Sequence, residues 1–171
     1  MAVLDFGETE TARRSAERVA AALLSWRAEK PEAQISLVDR ALSRAAARGA
    51  GYAGSLNLTL AEARDLGAAI DCDFYIAGDA QTIRRSSADT PVYYEAYASL
   101  FLVSARTGRL VSWERPSATA ATPEQATAAL VPELDELARA QLPARLLEAQ
   151  ANEARARRAK LTPQEEASVP L

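Results

Sequence analysis

The stretch from residue 92 to 115 leaves this chain little choice of local structure. VYYEAYASLFLVSA, residues 92–105, is dense in aromatic and branched side chains and reads as one long strand. Thr107-Gly108 forms the tip of a hairpin, and RLVSWER, residues 109–115, returns as its antiparallel partner. An isolated hairpin is marginal in water, so this one needs further strands beside it and a covering layer.

Upstream, the hydrophobic period alternates between strand and helix. AVLDF, residues 2–6, is a short apolar run closed by Gly7 and reads as a buried strand. Residues 9–27 then place Ala12, Ala16, Val19, Ala20, Leu23 and Trp26 on one helical face, with Arg13, Arg14, Glu17 and Arg18 on the other, until Pro31 ends the pattern. ISLV, residues 35–38, reads as a second strand. Asp39 caps a short helix carrying Leu42, Ala45 and Ala46 that stops at Gly49. Thr59 and Glu62 form a capping-box pattern before Leu60, Ala63, Leu66, Gly67 and Ile70. CDFYIAGDA, residues 72–80, is a third strand of buried type ending near Gly78, and residues 84–91 form a polar loop. Thr122, Pro123 and Gln125 open a last core helix through Ala126, Ala129, Leu130, Leu134, Leu137 and Leu142, which Pro132 kinks early. From Pro143 the apolar stripe thins to Leu146, Leu147 and alanines, a projecting helix, and the last eleven residues have linker composition.

GAGYAG, residues 49–54, matches the Gly-x-Gly-x-x-Gly spacing of dinucleotide-binding loops. That pattern cradles a pyrophosphate only where it leaves a strand and opens a helix. Here it follows a helix, and Leu56-Asn57-Leu58 intervenes before the next one. The sequence therefore predicts a flexible surface loop, with Gly49 ending the helix in a left-handed conformation.

Composition narrows the chemistry. The 171 residues contain no histidine, which removes the commonest general base, every Ser-His or Cys-His pair and the usual zinc ligand. Cys72 is the single cysteine, so an internal disulfide and a thiolate cluster are excluded, and it reads as a buried small hydrophobe. A net charge of −3 gives no global pull toward nucleic acid or anionic lipid. No apolar run approaches the roughly 20 residues of a membrane span. MAVLDFGE has no signal-peptide character, so the chain is expected either to be cytoplasmic or to start after a removed leader.

Asp71, Cys72 and Asp73, with Asp5 or Asp39, could be imagined as metal ligands, but acids at element ends commonly cap helices or face solvent. No spacing singles out a pair of catalytic carboxylates, and no Gly-x-Ser-x-Gly elbow occurs. Tyr93, Tyr94, Tyr97, Phe101 and Trp113 read as core and cross-strand pairs; only Arg106, Arg109 and Arg115 lie close enough to turn them into a base-stacking platform. Arg155, Arg157, Arg158 and Lys160 form a basic cluster offset by Glu148 and Glu153. No catalysis, metal, cofactor or nucleic acid is expected.

Four segments in order resemble a known family. MAVLDFGE is similar to the first strand of the TolB amino-terminal-like and CsgG-like domains of the bacterial envelope. ISLVDRALSRAAARGAG resembles their strand-plus-helix segment, LTLAEARDLGAAIDCDFYIAGDA their helix-and-strand segment with its Leu-Gly step, and LFLVSARTGRLVSWER their Thr-Gly hairpin. The likeness covers residues 2–142. Asp71-Cys72-Asp73 departs from the usual Gly-Ala-Asp, the lipoprotein cysteine of secretion-channel members is missing, and no long amphipathic hairpins offer a barrel. The resemblance thus implies the shared α/β module rather than a channel: a non-catalytic periplasmic or envelope domain that assembles with other proteins.

The expected fold is α/β (α+β), a mixed sheet of about five strands in the order β-α-β-α-α-β-β-β-α with helices packed on it and a projecting C-terminal helix. Residues 1–142 form the domain, and 143–171 a helix and linker leading toward a further domain, which could be of TonB type. Partner contact is expected at Tyr52 in the 49–54 loop, at Arg84 and Arg85, and on the terminal helix at Arg145, Arg155 and Arg158. The partners are other envelope proteins, or a second copy through the terminal helix. Rival readings are a sensory domain for a nucleotide or small metabolite, and a subunit of a homo-oligomeric envelope ring.

Overall fold

The computed structural model describes residues 1–89 and 92–161. Five strands form one mixed sheet: β1 (Ala2–Val3), β2 (Phe74–Arg85), β3 (Tyr93–Ser104), β4 (Leu110–Glu114) and β5 (Ser117–Ala120). β1 lies parallel to β2, and the remaining pairs are antiparallel. β2 and β3 pair along their whole length, from Phe74 opposite Ser104 to Arg85 opposite Tyr93. β4 and β5 both pair with β3, on either side of Pro116, and together make one interrupted edge.

Helices cover the sheet unequally. On one face lie α1 (Glu10–Glu29), α4 (Pro123–Glu136) and α5 (Leu142–Leu161), packed over Val3, Phe74, Ile76, Leu100 and Leu102. Ala80, Ala96 and Ala98 on that face are fully buried, and their small side chains let the helices approach closely. On the other face α2 (Arg40–Gly49) and α3 (Leu60–Ile70) cover only the end bearing Ala2, Leu4, Tyr75, Ala77 and Val103. Among the described residues, no helix lies over the half of that face carrying Asp79, Gln81, Glu95 and Tyr97.

The caps follow the sequence. Asp39 accepts from Ala41 and Leu42, Thr122 accepts from Gln125, and Thr59 and Glu62 form the complete capping box. Other expectations need correction. Residues 35–38 are not a strand: Ile35 is buried, but the segment makes only two backbone bonds with Met1, from Val38 N–H and to Ser36 O, and joins no sheet ladder. The observed order is therefore β-α-α-α-β-β-β-β-α followed by the C-terminal helix α5, with β5 making up the fifth strand. β2 does not end near Gly78 but runs to Arg85, so Arg84 and Arg85 belong to a strand rather than a loop. Thr90 and Pro91 of the expected loop lie outside the described residues. Gly49 is the last residue of α2; the left-handed residue is Gly51 (φ 78°), where Gly51 N–H bonds Arg48 O and Tyr52 N–H bonds Ala47 O in a Schellman arrangement.

The last helix does not break at Pro132 or at Pro143. Between α4 and α5 runs a π turn (Leu137–Gln141), closed by Leu142 N–H on Leu137 O. A wider turn immediately before Pro143 relieves the clash a proline ring makes with the preceding turn of an α-helix. Leu142 and Leu146 are buried in the main core, and Ser104 Oγ and Arg106 Nε meet Glu153 at 2.5 and 2.8 Å. The helix thus rests on the sheet as far as Glu153, and residues 155–159 are exposed. The linker-like residues 162–171 lie outside the described residues.

Candidate functional site

The uncovered half of the sheet carries a polar network and an apolar strip side by side. Glu95 accepts from Arg85 Nε at 2.9 Å and sits 3.6 Å from Arg115 Nη1. The Arg115 guanidinium lies 4.1 Å over the Tyr97 ring, and Tyr97 OH points to Asp79 at 3.5 Å. Gln81 donates to both oxygens of Asp79. Burial, and next the Asp79 carboxylate, hold the Tyr97 hydroxyl above its ordinary pKa. The charges here are largely matched, so this network fixes side chains rather than offering free ones.

Toward α3 the surface becomes apolar. Phe101 and Trp113 form a tilted cross-strand pair with centroids 6.4 Å apart. Beside them opens a groove of about 310 Å³, with Ala63, Tyr75, Ala77, Phe101 and Val103 as floor and Leu56, Leu58, Leu60 and Leu110 as walls. Leu60, Leu110 and Trp113 are each more than half exposed. Tyr75 is held in the floor by its hydroxyl, which donates to Ala63 O.

Two turns set the groove's width. The capping box starts α3 at Leu60, and the hairpin tip at Gly108 (φ 72°) is pressed against the Leu60 backbone. Gly67, two turns further along the same face of α3, meets Ala105 so closely that a Cβ there would lie 2.2 Å from the Ala105 methyl. α3 is therefore fixed to the hairpin at two points, and the groove between them is built into the fold.

The residues expected to meet a partner do not share one surface. Tyr52 is half-buried: on an otherwise exposed loop its side chain packs against the smaller core of Ala2, Leu4, Leu66 and Tyr75. Its hydroxyl is buried without a hydrogen-bond partner among the described residues, and burial pushes its pKa up to about 12. Arg84 and Arg85 are exposed at the end of β2, with Arg85 engaged by Glu95. Arg145, Arg155 and Arg158 are exposed on α5, across the sheet from α2 and α3; Arg145 pairs with Glu148, and Arg155 bonds Asn152. The aromatic residues divide. Tyr94 packs against the main core, while Phe101 and Trp113 lie on the open face as a cross-strand pair.

The groove's leucines escaped notice in the sequence because no strand or helix contains Leu56 and Leu58. The signal was the alternation Leu56, Leu58, Leu60, which runs from a coil segment into the first residue of α3.

Near the 49–54 loop a second cavity of about 360 Å³ is lined by Asp5, Glu8, Arg44, Arg48, Tyr52 and Gly54, among others. Asp5 is already held there by Arg40 and Arg44 at 3.0 and 2.8 Å. Among the described residues no group of three or more Cys, Asp or Glu gathers as a metal site, and no helix is long and apolar enough to cross a membrane. Burial raises the Cys72 thiol pKa from 9.0 to about 11, the opposite of what a nucleophile needs.

No protein-family model matches the chain, and no curated protein does. Among solved structures it is similar to the hypothetical protein CT253 from Chlamydia trachomatis, at 12% identity and a TM-score of 0.47, covering 82% of this chain and 97% of that one. It is also similar to lipoprotein GNA1162 from Neisseria meningitidis, at 13% identity and a TM-score of 0.46, covering 91% and 96%. Likenesses at this level carry no argument about what the chain does.

Proposed function

We propose that this chain is a non-catalytic protein–protein interaction module of the bacterial cell envelope, and that its contact surface is the groove and apolar strip on the half-covered sheet face. The observation that carries the reading is the exposure of Leu60, Leu110 and Trp113 around Phe101 on a rigid sheet. Large apolar side chains grouped in a groove mark a surface that another molecule covers, and aromatic anchors dominate such contacts. Two features support the absence of catalysis: the chain has no histidine, and its one thiol is held protonated. The envelope assignment rests on the resemblance to TolB amino-terminal-like and CsgG-like domains.

Site-specific photo-crosslinking tests it. A crosslinker placed at Trp113 should give a discrete adduct in a bacterial envelope preparation, whereas one at exposed Glu17 on the opposite helix layer should not. Equal yields from both positions, or none from Trp113, would sink the proposal.

A second reading, a sensor of a small metabolite or nucleotide, is favoured by the mixed-charge cavity beside the 49–54 loop. It requires a thermal shift with such a ligand, since saturation a hundredfold above Kd adds about 2.7 kcal/mol. Loss of that shift in Arg48→Ala would place the ligand in this cavity.

A further inference from the structure

We infer that the cavity beside the 49–54 loop takes a small zwitterion, an α-amino acid with an apolar side chain, whose carboxylate meets Arg48, whose ammonium meets Glu8 and whose side chain lies over Leu4 and Ala47. The inference rests on the second reading above, that of a small-molecule sensor, and adds the chemical class of what is sensed. It leaves the partner surface untouched, because this cavity and the Leu56–Leu110 groove share no lining residue.

Three fixed segments enclose the space of about 360 Å³. Residues 4–6 run beside β2, with Leu4 N–H on Ile76 O at 2.9 Å and Ala80 N–H on Phe6 O at 3.2 Å. α2 is tied to them through Asp5, which Arg40 and Arg44 hold at 3.0 and 2.8 Å. The Schellman turn at Gly51 then brings Tyr52, Ala53 and Gly54 to the third side. Leu4 and Ala47 are buried and give the cavity an apolar floor.

Four charged side chains line it: Asp5, Glu8, Arg44 and Arg48. Arg40, Arg44 and Arg48 stand on successive turns of one face of α2, and Asp5 takes up the first two. Among the described residues the Arg48 guanidinium and the Glu8 carboxylate have no ion-pair or hydrogen-bond partner, and they line one cavity without meeting each other. Arg13 reaches Glu8 at the backbone carbonyl oxygen, not at the carboxylate. Glu62 and Asp65 line the adjoining cavity, which shares Tyr52 and Ala53 but neither Glu8 nor Arg48.

One unmatched cation and one unmatched anion beside an apolar floor select a ligand that carries both charges and an apolar part. A simple anion would satisfy Arg48 and face Glu8, and a simple cation would do the reverse. A neutral apolar molecule would strip water from both charges and return nothing. Small-ligand sites are built in this way, mostly apolar with a few placed polar groups that fix orientation.

Calorimetric titration of the full chain with L-leucine, L-methionine and L-phenylalanine tests this, each beside its des-amino acid and its decarboxylated amine. At least one amino acid should bind, with both of its truncated analogues weaker by at least about tenfold. Glu8→Gln should erase the first difference, so that the des-amino acid binds as well as the amino acid. Arg48→Gln should erase the second, so that the amine does. Both positions are exposed, and circular dichroism checks that the variants fold. A merely structural role for either residue would not exchange the preferences in this crossed way.

An analogue that binds the native chain as tightly as its parent, or a preference that persists in the matching variant, overturns the zwitterion. So does the absence of binding by all three amino acids at about 10 mM; a nucleotide whose thermal shift is lost in Arg48→Ala then still upholds the sensor reading. If neither an amino acid nor a nucleotide binds, both fall.

Discussion

Gly108 lies against the backbone of Leu60 so tightly that a Cβ built on it would stand 2.2 Å from the Leu60 carbonyl oxygen. The neighbour is backbone at the start of a capped helix and cannot swing aside. Gly108 also has φ 72°, a region that side-chain-bearing residues rarely adopt. Gly108→Ala should therefore destabilise the chain by about 1–3 kcal/mol in urea unfolding and spread the hairpin from α3. Hydrogen exchange at residues 60–63 should rise with it, and unchanged exchange there would show that the contact does not hold the groove.

Leu146 is 1% exposed, six residues before Asn152 on a helix whose sequence hardly looks amphipathic. Leu146→Ala should cost about 2–5 kcal/mol, the toll of a core leucine, and ending the chain at Leu142 should cost more. A truncated chain as stable as the whole would mean that α5 contributes nothing to the domain.

Thr11, Thr82 and Thr127 close a ring of hydroxyls at 2.8, 2.9 and 3.4 Å that joins α1, β2 and α4. Replacing Thr82 alone by Val removes the member that makes both short bonds and should cost about 1–3 kcal/mol. Replacing all three by Val leaves no hydroxyl unpaired and should cost less than the single change. A triple variant less stable than Thr82→Val would show that the three do not act as a ring.

Alkaline pH should weaken the fold. Burial raises Cys72 from 9.0 to about 11 and Tyr52 from 10.0 to about 12. Both groups are raised in the folded chain, so above their ordinary values the unfolded chain loses the proton first. The stability they contribute is complete below about pH 9, erodes as pH rises, and is gone above about 12. Cys72→Ala/Tyr52→Phe should flatten urea midpoints measured between pH 9 and 11.

Cys72 offers a kinetic check on the same burial. At pH 8 a thiol near 11 holds about a hundredfold less thiolate than one near 9. Its alkylation by iodoacetamide should be slower by at least that factor in the native chain than in urea, and equal rates would remove the burial argument.

Helix caps and the hairpin were legible because each is a local device. Asp39, Thr59 and Thr122 announce their helices through side chains acting within three residues, and Thr107-Gly108 turns a chain already committed to strands. What was not legible depends on distant neighbours. Gln81 to Arg85 is polar by sequence yet remains strand, because β3 supplies a full ladder and one face of that half-sheet is open. Residues 35–38 are mostly apolar, but among the described residues only Met1 lies alongside to pair with them. Tyr52 reads as the tip of a glycine loop, yet its side chain lies half-buried against the smaller core, because the Schellman turn at Gly51 folds it back. The groove joins a coil segment, a helix start and a hairpin edge that are about fifty residues apart in sequence, and no local pattern brings such parts together.

The π turn means that the chain holds one more residue between α4 and α5 than a plain α-helix would need along the same path. The surplus acts as a joint of adjustable length. Deleting Ala140 would draw the rod into regular α geometry and leave Leu146 and Glu153 in phase with the sheet, provided Pro143 were changed to alanine so that no ring met the turn before it. The same deletion placed at Ala144, beyond the joint, would rotate everything downstream by about 100° and carry Leu146 off the core. One end of this helix can change length while the other keeps its bearing, and the place where that freedom lies is five residues long.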